Sequence, residues 1–354
     1  MGGAENLLIP LTLEQKRQRN DVSVLLLKKA CNPTVTEKIQ NNGIKVSWLI
    51  DKGSLYNPLL ILKLRSFLKD NDIVHVHLFP SLYWVGFAKW ITQNAAPLVY
   101  TEHSTKNRRR ENPILNRVDR IIYQHAYKHI IACSEKARET YLEAYPNIGH
   151  ITTVNNGVDT KQNREALPYS KQEMLGISED CFVVTMVARF MFMKRQDTIV
   201  KAISKLPKKF HVCLVGGEPT DEGLIKVQRL AEELGVSDRV HFLYIRSDVP
   251  RILKTSDVVM MSSEYEGLSL SSIEGMAAGK PFVATAVNGL KEVVAGAGEL
   301  FELYNAEQLA TILAKLESDK DYYNWVTNRC SQRVSEFDIK IMADNYMAIY
   351  NRVR

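Results

Sequence analysis

Short apolar runs alternate with amphipathic stretches along most of this 354-residue chain, and that alternation admits few folds. Residues 22–27, 45–50, 73–78, 98–101, 129–133 and 151–154 have the length and aliphatic character of buried strands. Between several of them lie segments with apolar residues at helical spacing, namely 57–69, 81–93, 112–128 and 135–144. Strands separated in this way are joined by crossover helices, so the sheets they form are parallel. A second series begins at 181–188 and continues at 211–215, 240–243, 258–261 and 281–284. The stretch between the two series, 155–178, is polar and turn-rich, which places a domain boundary near residue 160. The length suits two α/β domains of about 150–200 residues each. From Asp319 onward the tail reads as two helices, the last with Ile339, Met342, Tyr346 and Ile349 on one face.

The start of the chain departs from this regularity. Met-Gly-Gly-Ala-Glu looks like a glycine turn leading at once into a helix over 5–19. In a doubly wound domain such a turn follows a strand, and none is seen here; the alternatives are a truncated start and a domain that lacks its first strand.

Bulk properties narrow the function classes. Hydrophobic residues make up 45% and charged residues 24%, which excludes a disordered chain. The five cysteines (Cys31, Cys133, Cys181, Cys213, Cys330) are scattered without a C-x-x-C pair, as free thiols of a reducing compartment are. No charged n-region followed by a long apolar run opens the chain, so a secretory leader is not expected and a cytoplasmic location is. Residues 75–101 carry a single Lys/Arg/Asp/Glu charge, Lys89, but their strand–helix–strand pattern and Pro80 and Pro97 argue against a membrane span. Lys and Arg outnumber Asp and Glu by 21 to 13 in residues 1–150, whereas the counts are 25 and 27 afterwards. A first half near +8 favours an anionic partner, such as the inner face of a membrane, a lipid phosphate or a nucleic acid.

The sharpest motif is residues 262–281, Ser-Ser-Glu-Tyr-Glu-Gly-Leu-Ser-Leu-Ser-Ser-Ile-Glu-Gly-Met-Ala-Ala-Gly-Lys-Pro. It reads as strand end, loop, helix, glycine stop and next strand. A helix starting near Ser269 offers free N–H groups and a positive dipole end to phosphate. Glu266 precedes that helix and Glu274 lies inside it; a carboxylate so placed accepts bonds from two vicinal hydroxyls.

This run resembles the donor-site signature of the retaining glycosyltransferases of family 4, which have the GT-B fold of two Rossmann-like, doubly wound α/β domains. Val187-Ala-Arg-Phe-Met-Phe-Met-Lys-Arg-Gln-Asp197 resembles that family's diphosphate-binding loop, with Arg189 and Lys194 in the cationic positions. Val154-Asn-Asn-Gly-Val-Asp159 is similar to its interdomain turn, and Tyr100-Thr-Glu-His-Ser104 ends a strand where the family places a histidine, His103, near the donor sugar. The resemblance implies an acceptor-side domain over 1–158 joined by a returning C-terminal helix, 337–354, and a nucleotide-sugar domain over 159–336. It implies that His103, Glu266, Arg189 and Lys194 act on the reacting sugar and diphosphate. Gly267, Leu268, Ser269 and Leu270 would cover the phosphates, Glu274 would hold the ribose, Ile245 and Arg246 the base, and Gly216 would line the same site. Tyr244 stands where a glycine is frequent. Gly2 and Gly3 resemble the family's amino-terminal glycine loop.

The activity implied is transfer of a hexose or N-acetylhexosamine from a UDP-sugar, or a GDP-sugar, to a hydroxyl of a lipid-linked or growing surface saccharide, with retention. The nucleotide sugar is a co-substrate; no cofactor and no metal is expected. A nucleotide-sugar 2-epimerase of the same fold, and an inactive sugar- or nucleic-acid-binding relative, stay open. Lys106-Asn-Arg-Arg-Arg110 follows the His103 strand, and Arg108 and Arg109 there suit an anionic acceptor or a membrane leaflet. Val215-Gly-Gly-Glu218 lacks the third glycine of a dinucleotide fingerprint, and Asp70-Asn-Asp72 precedes a strand, as a turn does. His75 and His77 share one face of their strand and read as core or cleft-lining side chains.

Overall fold

The computed structural model describes residues 3–29, 33–93, 95–103 and 107–354. The chain divides into two compact units; one ends at Gly157 and takes in Ile339–Arg354, and the other is Val158–Asp338.

The first unit runs α1 (Gly3–Arg17), β1 (Ser23–Lys28), α2 (Pro33–Asn41), β2 (Lys45–Ile50), α3 (Leu60–Lys69), β3 (Val74–His77), α4 (Ser81–Ile91), β4 (Leu98–Glu102), α5 (Pro113–His125), β5 (His129–Ala132), α6 (Glu135–Ala144) and β6 (Ile151–Thr153). Its strands pair only in parallel, in two separate sheets: β1–β2, and β3–β4–β5–β6. Among the described residues no strand precedes α1. Local chemistry sets several boundaries. Asn112 accepts from the N–H groups of Ile114 and Leu115, and Pro113 stands in the first turn, so α5 begins there. Ser134 caps α6 through the Ala137 N–H. The core beneath α3–α6 includes Leu60, Leu64, Leu68, Tyr100 and three edge-to-face tyrosines, Tyr123, Tyr141 and Tyr145, with ring centroids 5.1–5.3 Å apart.

The second unit runs α7 (Thr160–Glu165), α8 (Lys171–Leu175), β7 (Phe182–Val187), α9 (Gln196–Ser204), β8 (Phe210–Val215), α10 (Glu222–Glu233), β9 (Val240–Tyr244), α11 (Val249–Thr255), β10 (Val258–Met261), α12 (Leu270–Ala277), β11 (Phe282–Thr285), α13 (Lys291–Val294), β12 (Glu299–Phe301), α14 (Ala306–Ser318) and α15 (Lys320–Val334). The last helix, α16 (Ile339–Val353), belongs to the first unit, where it packs on α1. The sheet order β12–β11–β10–β7–β8–β9 is parallel throughout. Strands β8, β10 and β11 are buried along their whole length, so they read as unbroken apolar runs. Strand β12 has only three residues and follows Gly296-Ala-Gly298, so it shows no such run. Gly275 of α12 lies against Phe282 and Val259, and a Cβ there would come within 2.7 Å of both. A glycine is what lets this helix approach the sheet.

The order of this sheet fixes where a ligand can sit. From β7 the chain winds outward through β8 and β9, then returns to β10 and winds the other way. The switch point lies between β7 and β10, and the loops leaving their carboxyl ends diverge to leave a crevice.

Candidate active site

Those two loops carry the residues that the motifs single out. The loop after β7 leads through Arg189 and the short turn Phe192–Lys194 into α9, and the loop after β10 leads through Glu266 to α12. They are tied together by backbone and hydroxyl bonds. The Glu264 N–H donates to the Met193 carbonyl (2.8 Å), and Ser262 Oγ donates to the carbonyls of Lys194 (2.9 Å) and Arg195 (2.8 Å). Gln196 holds the other end by donating to the Arg189 carbonyl at 2.9 Å.

Across this junction Lys194 Nζ lies 2.5 Å from Glu266 Oε1, and both side chains are mostly buried. The same oxygen accepts a bond from Ser263 Oγ at 2.6 Å. The loop after β11 closes the third side, because a Cβ on Gly289 (φ +83°) would fall 2.3 Å from the Glu266 carbonyl oxygen. Ser263 and Gly289 escape sequence reasoning; a serine three residues before a glutamate carries no signal of its own. Arg189 is exposed, and among the described residues it makes no ion pair.

Helix α12 begins where the sequence places it. Ser269 is its N-cap and accepts from the Ser272 N–H, while Gly267 and Leu268 form the turn before it and Leu270 its first residue. Glu274, one turn in, is half-buried, and among the described residues its carboxylate has no hydrogen-bond partner. Burial pushes that carboxyl up from 4.5 to about 7. A carboxylate so placed can accept bonds from hydroxyl donors.

Gly216 (φ +125°) lies against the loop after β7; a Cβ there would meet the Ala188 carbonyl oxygen at 2.3 Å. Its N–H donates to the carbonyl of Tyr244 (2.7 Å), and Tyr244 itself has φ +52°. The position frequent for glycine thus needs the left-handed backbone, and a tyrosine adopts it here. Ile245 beyond it is exposed. Arg246 is not a free cation, because it makes two bonds to Asp248, at 2.8 and 2.6 Å. Those bonds and one from the Tyr169 hydroxyl hold the Asp248 carboxyl well below its usual range.

In the first unit, His103 follows β4 and its Nε2 lies 2.9 Å from His77 Nδ1, while its Nδ1 is buried with no partner among the described residues. His75, one rung back, sits between the Tyr350 hydroxyl (2.6 Å) and Thr101 Oγ1 (2.7 Å). Burial lowers His103 to about 4; burial and the neighbouring imidazoles lower His75 to about 3 and His77 well below its usual value. All three rings are neutral at pH 7. The pair His75 and His77 does share a face, with ring centroids 4.2 Å apart. Among the described residues no group of three His, Cys, Asp or Glu side chains is arranged to hold a metal ion.

Two arginines of the basic run after His103 face interior carboxylates. Arg109 Nε lies 3.3 Å from Asp119 Oδ2 and the guanidinium stacks on Phe79 and Tyr83. Asp119 is fully buried and also accepts from Tyr83 (2.5 Å) and Tyr145 (3.1 Å). Arg110 pairs with the buried Glu102 at 3.2 Å. These arginines neutralise interior carboxylates, which cannot stay charged alone. Arg108 lies in the short turn before α5, and Gly3 opens α1 as a helical residue; Gly2 and Lys106 lie outside the described residues.

Comparison with known proteins gives the same outline. Residues 170–333 match the family model for glycosyl transferases group 1, and residues 1–162 match that for glycosyltransferase family 4. A D-inositol 3-phosphate glycosyltransferase of Mycobacterium marinum is 28% identical over 302 residues, covering 79% of this chain and 63% of that protein. The enzyme of that name from Mycobacterium tuberculosis is 32% identical over 240 residues, covering 63% of this chain and 48% of its own length. This chain therefore spans about half to three-fifths of these curated relatives. Among solved structures, Anabaena Alr3699/HepE in complex with UDP and glucose superposes with a TM-score of 0.85 at 22% identity, covering 99% of this chain and 96% of that one. A glycosyltransferase from Rickettsia africae gives 0.81 at 22% identity over 99% and 95%. Both share the fold, which is GT-B.

Proposed function

Because this chain belongs to family 4 of the glycosyltransferases, we propose that it transfers a hexose or N-acetylhexosamine from a nucleoside diphosphate sugar to a hydroxyl acceptor with retention of configuration. The observation that carries the reading is the Lys194–Glu266 pair at the β7/β10 switch point, on the loop that leads into α12, with Glu274 one turn into that helix and without a hydrogen-bond partner among the described residues. Lys194, the exposed Arg189 and the N–H groups that open α12 supply positive charge without a bound ion. Such charge stabilises a departing diphosphate more than the intact donor, which is what accelerates the bond-breaking step. Glu274 receives the ribose hydroxyls and Glu266 those of the transferred sugar. In the first unit, the Nδ1 of His103, without a partner among the described residues, is a neutral hydrogen-bonding group suited to a sugar hydroxyl.

A uridine donor is favoured over a guanosine donor, since HepE, with the same fold, was solved with UDP-glucose. The acceptor is a lipid-linked or growing saccharide, met from the cytoplasmic side. Excess positive charge on residues 1–150 suits such a lipid phosphate or an anionic leaflet. No described helix is long and apolar enough to cross a membrane.

The test is a thermal-shift screen with UDP, GDP and their sugars, followed by measurement of nucleotide release with and without saccharide acceptors. UDP-sugar stabilisation with acceptor-dependent release supports the proposal. Turnover of the donor without any acceptor would replace it with an epimerase reading, and binding without release with that of an inactive relative.

A further inference from the structure

Two residues to which the motifs give no role share an uncommon backbone. Arg195 (φ +53°) and Tyr304 (φ +68°) both adopt the left-handed conformation, which glycine enters freely and an L side chain only at a cost. They stand on different loops of the second unit, Arg195 directly after Lys194 and Tyr304 in the turn between β12 and α14. Yet they meet. The Arg195 guanidinium lies 4.6 Å from the centroid of the Tyr304 ring and 4.9 Å from that of Phe192. The two side chains also share one acceptor, because Glu264 Oε1 accepts from the Tyr304 hydroxyl at 2.8 Å and from Arg195 Nη1 at 3.5 Å. Arg195 Nη2 lies 2.9 Å from Asp197 Oδ2, which is also 3.0 Å from Lys201 Nζ.

This cluster brackets Lys194 along the chain. Glu264 holds the residue before it, by its N–H to the Met193 carbonyl, and the residue after it, by its carboxylate on Arg195. Ser262 Oγ holds the carbonyls of Lys194 and Arg195. Glu266, which pairs with Lys194, lies two residues beyond Glu264 on the same loop.

The backbone shows why such a clamp is needed. Arg195 ends the turn Phe192–Lys194 and precedes α9 at once, so the chain changes direction at this one left-handed residue. Its side chain does not cap α9. Nor is it a third cation for a leaving group, because Asp197 and Glu264 already neutralise it and only 15% of its side chain is exposed. A left-handed residue of this kind persists when its surroundings hold it, and such residues gather where geometry is used. What holds Arg195 is two carboxylates and two rings. What it adjoins is Lys194.

We infer, on the transferase reading above, that Arg195, Glu264 and Tyr304 are positioning residues. They lock the turn that carries Lys194, so that its ammonium stays against Glu266 and is in place when the diphosphate departs. Through Tyr304 the turn between β12 and α14 becomes part of the frame of the donor site.

The experiment uses the full chain with Arg195→Gly, Tyr304→Ala, Tyr304→Phe and the double variant of the first two. Acetylation of Lys194 by acetic anhydride is timed by peptide mass spectrometry against the exposed Lys226, and kcat and donor KM are taken from nucleotide release. Arg195→Gly and Tyr304→Ala should each speed Lys194 acetylation about tenfold relative to Lys226, because the mostly buried ion pair opens more often. Each should lower kcat by about 10- to 100-fold with donor KM within about threefold, as misplacing a group that acts in the transition state does. Tyr304→Phe keeps the ring on the guanidinium and should recover most of both effects. The double variant should match the singles rather than multiply them, since both break one clamp. The melting temperature of Arg195→Gly should fall by no more than about 2 °C, because relief of the left-handed strain offsets the lost ion pairs. Unchanged Lys194 acetylation in both single variants would overturn the inference. So would single effects that multiply, or activity lost only in step with melting temperature. A parent that releases no nucleotide would count against the transferase reading, and the acetylation rates would still decide whether the clamp exists.

Discussion

Replacing Glu274 with glutamine separates what its carboxylate costs the fold from what it does for the donor. Burial raises this carboxyl from 4.5 to about 7, so the folded protein holds the proton more tightly than the unfolded chain does. The stabilisation from that proton is complete below about pH 4.5 and is lost as pH rises to about 7. The interval of about 2.5 units at 1.36 kcal/mol each corresponds to ~3 kcal/mol. Glutamine has nearly the same shape and cannot ionise. Glu274→Gln should therefore equal the parent in stability near pH 4.5 and exceed it by up to ~3 kcal/mol at pH 8, about 6–12 °C in melting temperature for a unit of this size.

Donor affinity should move the opposite way. Hydroxyl donors favour the ionised carboxylate, so nucleotide binding to the parent should strengthen about tenfold per pH unit on approaching pH 7 from below, then level off. In Glu274→Gln that slope should vanish and affinity should stay low. Differential scanning fluorimetry across pH 4.5–8.5, with and without UDP, reads both effects. Superimposable stability curves for parent and variant would refute the reasoning, because they would mean that the folded protein leaves this carboxyl in an ordinary environment.

Lys194→Ala should lower kcat/KM by about 10²–10³, through loss of charge opposite the leaving diphosphate, in a steady-state nucleotide-release assay. Asp119→Ala should cost about 3–5 kcal/mol in urea unfolding, because it strands Arg109 and two tyrosine hydroxyls, while the UDP affinity of the folded protein stays unchanged. At Tyr244, with φ +52°, the glycine variant should be more stable than the alanine variant by ~1 kcal/mol in the same unfolding measurement.

How far the chain declares itself depends on the range over which each feature is encoded. Ser269 could be placed as the start of α12 because a cap is a bond between neighbours, from Ser272 N–H back to Ser269 Oγ. The buried strands β8, β10 and β11 were legible because strands covered on both faces need unbroken apolar runs. Strand β12 was not, because three residues make no pattern. The basic run at 106–110 shows the limit of charge counting, since Arg109 and Arg110 read as an exposed cluster until Asp119 and Glu102 are brought beneath them. The Lys194–Glu266 pair joins residues 72 apart in sequence, and the His77–His103 bond joins residues 26 apart.

The sequence by itself determined the parallel two-series α/β plan and the helix start at Ser269. Only the tertiary structure decided which charges face one another, which histidine nitrogen is left without a partner among the described residues, and where the sheet is divided. Periodicity and capping are written between near neighbours along the chain. The pairing of ions, imidazoles and strand edges depends on segments that meet only when the sheets assemble.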